Sequence, residues 1–374
     1  MSESYKKWLK QKFEKLQAIE CYSAGATVET VAKQLGVSTK QIIKLDFNEN
    51  LFMPRVKQAK LMKEVAEEID LRLYPEDEEA KLREKLSGYM KVPKEFLVVG
   101  NASDELIDRI IRLFVEKGDS VVSFTPTFSV PRLCVKRQAG EYIQVPLLSD
   151  LQLDVKGMVS KFTDKTKLLY LCSPNSPTAT QYKPGDIETL AKAFPGIVIL
   201  DEAYGEFADY SFVPRIKEFE NMIILRTFSK AFGLAALRLG YAVANPEIAK
   251  ILAEKAPLPY PVSGFTLRMG AKMLDNVDLM METVGQVKSE RAKLIKALND
   301  IEGVQAFDSQ ANFVLMNTQK HCDLVSQKLL WKGIMVKKWG KMLQYNNCFR
   351  VTVGLPGMNA KLIEALKEIE GEDE

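Results

Sequence analysis

Histidine is almost missing: the 374 residues contain one, His321, in the polar stretch TQKHCDLV. A solvated surface side chain is the expectation for it. A Ser-His-Asp triad, a Cys-His pair and a multi-histidine metal centre all need imidazoles that this chain does not hold. Proton transfer is therefore left to lysine, tyrosine or carboxylate, or the hard chemistry is left to a cofactor. Cysteine is sparse as well. Cys21, Cys134, Cys172, Cys322 and Cys348 are odd in number and none falls in a C-x-x-C spacing. That argues against a zinc cluster or a disulfide framework and fits a reducing cytoplasm. Neither G-x-G-x-x-G nor G-x-x-x-x-G-K-[ST] occurs, so nucleotide readings lose ground. No apolar run is long enough to span a bilayer. There is no basic block, and 52 Lys and Arg against 49 Asp and Glu leave a net charge of +3, which gives no electrostatic case for nucleic acid.

What is present is ordinary in bulk and specific in detail. An apolar fraction of 46% with 27% charged residues fits a globular protein, and the length suits one large domain plus a smaller one. The opening stretch MSESYKKWLKQKFEKLQAIE lacks an apolar centre and a small-residue cleavage site, so it is expected not to be a secretory signal. Tyr5, Trp8, Leu9, Phe13 and Leu16 fall on one helical face. A helix packed on its own body or on a partner subunit is expected, in preference to one lying on a membrane.

Seven short apolar, β-branched runs follow from residue 96 onward: FLVV, DSVVSF, EYIQVPL, KLLYLC, GIVIL, MIILRT and YAVAN. Helical patterns separate most of them, which predicts a largely parallel sheet covered by helices on both faces. Past about residue 265 a long helical pattern over 267–300 leads to NFVLMN, GIMVKK and CFRVTVG, closed by a helix from Asn359. This reads as a smaller α+β unit that QIIKLDFNEN at 41–50 joins. PLPYPVSG marks the break. The expected division is 1–50 as an N-terminal arm with part of the small domain, 51–262 as the large domain and 263–374 as the small one.

Ligands of parallel sheets sit beyond the carboxyl ends of the strands. Polar residues crowd those ends here. Gly100-Asn101-Ala102-Ser103-Asp104 follows the first strand and opens a helix. Thr125-Pro126-Thr127-Phe128, Ser173-Pro174-Asn175-Ser176-Pro177-Thr178, Asp201-Glu202-Ala203-Tyr204 and Thr227-Phe228-Ser229-Lys230 follow others. Each piece alone has a bland reading as a helix cap or a solvated loop. Together they converge on a site for a phosphorylated, cationic heteroaromatic cofactor. Amides at the Ala102–Asp104 helix start suit an anion, and Arg238, Thr227 and Ser229 complete a phosphate cup. Asp201 can pair with a protonated ring nitrogen, Phe128 can stack on the ring and Tyr204 can donate to a ring hydroxyl. Lys230, made nucleophilic by desolvation and nearby positive charge, can form a Schiff base.

The motifs DEAY at 201–204 and TFSKAFGLAALRLGY at 227–241 carry a resemblance, and YSAG at 22–25, IIKLDFNEN at 42–50, RLYPE at 72–76 and FRVTVG at 349–354 narrow it. The chain resembles the pyridoxal-phosphate aminotransferases of fold type I, and among them the histidinol-phosphate aminotransferase branch. The resemblance implies pyridoxal 5'-phosphate as cofactor. It implies Lys230 as Schiff-base lysine and proton shuttle, Asp201 at the pyridine nitrogen and Tyr204 at the ring hydroxyl. Ser229, Arg238 and the Ala102-Ser103-Asp104 turn would hold the phosphate. Tyr74 would reach the phosphate of a neighbouring subunit's cofactor, so the enzyme would be a homodimer with shared active sites. Arg350 would bind the anionic end of a substrate, Tyr22 would help close the pocket, and Asn175 and Lys337 would join the substrate contacts.

Three positions depart from the family pattern. Asn175-Ser176-Pro177-Thr178-Ala179 replaces Asn-Asn-Pro-Thr-Gly, which puts Ser176 where an asparagine contacts the ring hydroxyl. Phe128 replaces the common stacking tyrosine. Lys337 replaces a second arginine, and a lysine lacks the bidentate fork. The implied activity is transfer of the amino group of histidinol phosphate to 2-oxoglutarate. The alternatives are an aminotransferase for aromatic or other amino acids, an amino-acid phosphate decarboxylase of the same fold, and a cofactor-binding regulator without turnover.

Overall fold

The computed structural model describes residues 2–21 and 25–372. After a first short strand, β1 (Ile43–Leu45), the chain builds the larger sheet from β2 (Leu97–Gly100), β3 (Ser120–Thr125), β4 (Glu141–Pro146), β5 (Thr166–Cys172), β6 (Ile197–Asp201), β7 (Met222–Thr227) and β8 (Gly240–Ala244). Their order is β2-β8-β7-β6-β5-β3-β4. All pairings are parallel except those of β8, which runs antiparallel to both β7 and β2. The predicted mostly parallel seven-stranded sheet is thus the fold. Its central strands are buried along almost their whole length. That is why they read as continuous apolar runs without alternation: helices such as Ala102–Phe114 and Pro184–Ala193 leave neither face to water.

The second sheet adds β9 (Val304–Ala306), β10 (Phe313–Thr318), β11 (Ile334–Met342) and β12 (Tyr345–Thr352), in the order β1-β11-β12-β10-β9. β1 pairs in parallel with β11, so the segment just before residue 50 is tied to strands nearly 300 residues later. Most buried apolar residues of both sheets form one continuous cluster, while Met335, and Leu315 with Met342 and Cys348, of the smaller sheet belong to two small separate ones.

Three expectations change. The pattern over 267–300 is two helices, Gly264–Leu274 and Val277–Asn299. Asn276 sits at the break, and its side chain donates to the Lys272 carbonyl at 2.8 Å, a bond that competes with helix continuation. The terminal helix starts at Pro356, not Asn359. Asn359 is buried and bridges the Gly354 backbone in both directions. The N-terminal helix, Glu3–Gln17, forms as its periodicity demands, but it buries none of its residues. Trp8 and Phe13 remain 53% and 54% exposed, so it does not pack on its own body. No helix among the described residues is long and apolar enough to cross a membrane.

Where β6 and β7 end, a buried ion network fixes the turn that carries Tyr204. Arg226 of β7 donates to Glu202 at 2.9 Å and to Glu206 at 2.6 Å, and all three side chains are buried. Gly205 is required between them, because a Cβ there would lie 2.0 Å from an Arg226 nitrogen. Arg226→Met strands two buried carboxylates and is expected to cost about 3–5 kcal/mol of stability. Urea unfolding measures this. A loss below about 1 kcal/mol would show that the carboxylates find other partners.

Candidate active site

The carboxyl ends of β2, β3, β5, β6 and β7 share one edge of the sheet, and a cavity of about 390 Å³ lies over it. Ser103, Asp104, Phe128, Ser176, Asp201, Tyr204, Thr227, Ser229, Lys230, Arg238 and Arg350 all line this one space. They come from loops spread over 250 residues of sequence, and the sheet brings them together.

One end of the cavity is built for an anion. The helix Ala102–Phe114 starts without a side-chain cap from Asn101, so its first-turn amides remain available. Ala102 itself is buried in the left-handed region at φ 69° and contributes backbone only. Gly240 at the start of β8 lets this turn approach: a Cβ there would meet the Ser103 nitrogen at 2.5 Å. Arg238 donates to the Ser229 hydroxyl at 3.2 Å and pairs with Asp104 at 2.9 Å. Thr227 accepts from the Ser229 amide at 3.1 Å and so holds that loop in a tight turn.

The middle of the cavity holds an acid and a base in unusual states. Asp201 ends β6 and is 2% exposed. It accepts hydrogen bonds from the Tyr170 hydroxyl at 2.8 Å and the Ala203 amide at 3.0 Å. No ion pair reaches it among the described residues, and burial pushes its carboxyl up to about 6. A buried acid that faces a cavity and has no ion-pair partner suits a cationic ring. Lys230 donates to the Phe47 carbonyl at 3.0 Å and lies 5.5 Å above the Tyr204 ring. Burial first, then the charge of Arg350, lowers its ammonium to about 8. Tyr204 accepts from the Asn48 side-chain amide at 2.8 Å, and burial pushes its phenol up to about 12.

The outer part is cationic. Arg350 on β12 donates to Ser176 at 2.9 Å and to the Asp46 carbonyl at 2.7 Å. Lys337 on β11 stands directly opposite Arg350 across the antiparallel pair, so both side chains leave the sheet on one face. Together they line a second cavity of about 200 Å³ that shares Phe128, Ser176 and Arg350 with the first.

Some expected residues lie elsewhere. Asn175, expected at the substrate, is fully buried behind the cavity. It accepts from Thr127 at 2.8 Å and donates to the Pro126 carbonyl at 3.0 Å and to Thr178 at 2.9 Å, so it braces two loops. Tyr74 is 75% exposed, stacks on Tyr260 at 4.9 Å and lines a different cleft. Tyr22 lies outside the described residues. Three polar contributors were missed. Asn48 and Glu49 line the cavity from the end of β1, and Cys172 lines it from the end of β5. The signal for Asn48 was the same strand-end position that marked the others, in the string LDFNEN.

Replacing the Asp201 carboxylate tests its burial directly. A carboxyl whose folded value is raised costs stability above that value, and the cost vanishes as pH falls below the unfolded value of 3.8. In cofactor-free protein, Asp201→Asn is therefore expected to be more stable than the parent above pH about 6, by about 3 kcal/mol, with the gain gone below pH about 4. Thermal unfolding across that range checks it. A gain independent of pH would show that Asp201 is not the titrating group.

Known proteins share this architecture. Residues 40–368 match the family described as aminotransferase class I and II. A histidinol-phosphate aminotransferase of Thermoanaerobacter sp. (strain X514) is 38% identical over 87% of this chain and 92% of its own length. One from Roseiflexus castenholzii (strain DSM 13941 / HLO8) is 33% identical over 95% and 96%. The crystal structure of histidinol-phosphate aminotransferase from Sinorhizobium meliloti in complex with pyridoxal-5'-phosphate superposes with a TM-score of 0.83 at 25% identity, covering 93% of this chain and 95% of that one. The uncapped helix start, the unpaired buried acid and the depressed lysine fit a phosphorylated pyridinium, and with these relatives they make the chain a member of the class I and II aminotransferases, enzymes that use pyridoxal phosphate.

Proposed function

We propose that the protein transfers the amino group of histidinol phosphate to 2-oxoglutarate, giving imidazole acetol phosphate and glutamate in histidine biosynthesis. The observation that carries this reading is the pairing of Lys337 with Arg350 on one face of the β11–β12 hairpin. Two fixed cations favour a dianionic phosphate monoester over a singly charged carboxylate. The names of the curated relatives agree with it.

In this reading the chain divides the work by position. Pyridoxal phosphate, when bound, supplies an electron sink for the bonds at the substrate's amino-bearing carbon. Ser229, Arg238, Thr227 and the Ala102–Asp104 turn hold its phosphate, and Phe128 packs on its ring. Asp201, with no other cation beside it, keeps a proton on the ring nitrogen. Asn48 donates to Tyr204, which leaves the Tyr204 proton free to reach the ring hydroxyl oxygen. Lys230 would hold the cofactor through its amine and, as a neutral amine, would move the proton at the substrate's amino-bearing carbon. An ammonium lowered to about 8 is neutral in a usable fraction of molecules near neutral pH. Arg350 receives the substrate's anionic end, and Ser176 orients its guanidinium instead of a longer asparagine side chain.

The working unit in this reading is a cytoplasmic homodimer, with residues 51–262 as the cofactor-binding domain and 263–374, joined by the 1–50 segment, as the smaller one. In this reading Tyr74 serves a neighbouring subunit's site; its exposure outside its own cavity supports this, as does the exposure of the N-terminal helix. Tyr22 is assigned to closing the pocket by resemblance alone.

Borohydride reduction of the holoenzyme, followed by peptide mapping, is expected to leave the pyridoxyl label on Lys230. A label on any other lysine overturns the assignment. Lys230→Ala is expected to abolish turnover yet retain cofactor through the phosphate cup.

Lys337→Met tests the substrate. Efficiency on histidinol phosphate is expected to fall about tenfold or more, because a charge-assisted hydrogen bond contributes about 1.5–3 kcal/mol. The glutamate half-reaction is expected to fall much less. Equal small losses on both, or a parent enzyme active on phenylalanine or tyrosine and inactive on histidinol phosphate, would move the assignment to aromatic amino acids. Release of carbon dioxide from an amino-acid phosphate would move it to a decarboxylase.

A further inference from the structure

The outer cavity has a third cation. Arg132, on the helix Val130–Arg137 that follows Phe128, lines the same 200 Å³ space as Lys337 and Arg350, but it enters from the larger sheet's side. Lys337 and Arg350 enter from the smaller sheet. Among the described residues the only acid lining that space is Glu20, from the segment after the N-terminal helix. Its carboxylate lies 2.5 Å from an Arg132 nitrogen and 3.8 Å from Lys136 on the next turn. Phe128 and Trp339 complete the walls.

This arrangement has a direction. A guanidinium presents a planar fork to an oxyanion, and here a carboxylate of the chain itself pairs with one nitrogen of it. Arg132 keeps 30% of its side chain exposed and Glu20 51%, so water and solutes reach the pair. An exposed ion pair of this kind is weak and exchanges readily. A substrate anion arriving at Lys337 and Arg350 meets Arg132 on the opposite wall and competes with Glu20 for it. We propose that Arg132 is a specificity-determining residue that reads the substrate's anionic end from the far wall, and that Glu20 is an internal competitor for the same guanidinium. The proposal rests on the aminotransferase reading for the place of the substrate. It does not depend on which amine is turned over.

The test uses holoenzyme, so that the cup at Ser229 and Arg238 is taken, and inorganic phosphate as the probe. Its inhibition constant against the amine that the enzyme accepts is measured for the parent, Arg132→Met, Glu20→Gln and the double variant. Arg132→Met is expected to weaken phosphate binding about tenfold, the scale of one charge-assisted hydrogen bond. Glu20→Gln is expected to tighten it several-fold, on the order of a surface ion pair released. Glu20→Gln in the Arg132→Met background is expected to change nothing.

The signs separate this from a fastening role. Both single variants break the same ion pair. If that pair only ties the N-terminal segment down, both shift phosphate binding in the same direction, and the proposal falls. An unchanged constant in Arg132→Met also overturns it. Should Arg132→Met fail to fold, Glu20→Gln decides alone: unchanged or weaker phosphate binding sinks the idea. A parent inactive on histidinol phosphate, with the opposite shifts still present, would reject the substrate assigned above while leaving Arg132 as the reader of an anion.

Discussion

Burying one carboxylate without a cation is unfavourable, and the site is arranged around that single fact. Asp201 stands at the end of β6, held by Tyr170 and the Ala203 amide, with its carboxyl driven up to about 6 by burial. The two hydrogen bonds fix its direction without neutralising it. What would complete it is a positive group inside the cavity. The neighbouring carboxylates show the contrast. Glu202 and Glu206 are just as buried, but both pair with the Arg226 guanidinium. Adjacent residues of one chain thus differ in a single respect: Glu202 has a cation beside it and Asp201 has none. The ion-paired network serves the fold, and the acid without a cation is left for a ligand.

The same logic organises the opposite sign. Lys230 is lowered by burial and then by Arg350. A lysine kept near neutrality is a usable base, whereas a fully charged one is not. Under the proposed function Arg350 therefore acts twice: it attracts the substrate's anion, and it weakens the hold of Lys230 on its own proton. When an anion neutralises Arg350, part of that depression is relieved. Substrate binding and the basicity of Lys230 are thus coupled through one guanidinium, with no moving part required.

Much of this was legible because strand ends in a parallel sheet are forced to one edge. Asp201, Thr227, Ser176 and Ser103 could be grouped from sequence once the strands were found, and the cavity contains them all. Asn48 obeys the same rule at the end of β1 but was not given a role. β1 is three residues long and pairs with β11, far away in sequence, so the local strand-end signal in LDFNEN is weak. Asn175 failed for the opposite reason. It sits in the right loop, one residue from Ser176, yet the turn directs its side chain inward to Thr127 and Thr178. Residue type and position in a motif do not fix which side of a loop a side chain takes. The split at Asn276 and the unburied N-terminal helix escaped for related reasons: periodicity reports a face, not what covers it.

The departures from the family pattern belong together physically. A serine at 176 is too short to cross the cavity, and here it accepts a hydrogen bond from Arg350. With the Asp46 carbonyl on its other terminal nitrogen, that guanidinium is fixed at two points before any ligand arrives. Lys337, opposite it, is a point charge on a flexible stem and imposes no plane of its own. Under the proposed function, a rigid cation beside an adaptable one suits two different anions in alternate half-reactions: a tetrahedral phosphate in one and a planar carboxylate in the other. Two rigid forks would favour one geometry at the expense of the other. In this chain the second fork is placed on the far wall, at Arg132, where Glu20 holds it until an anion competes.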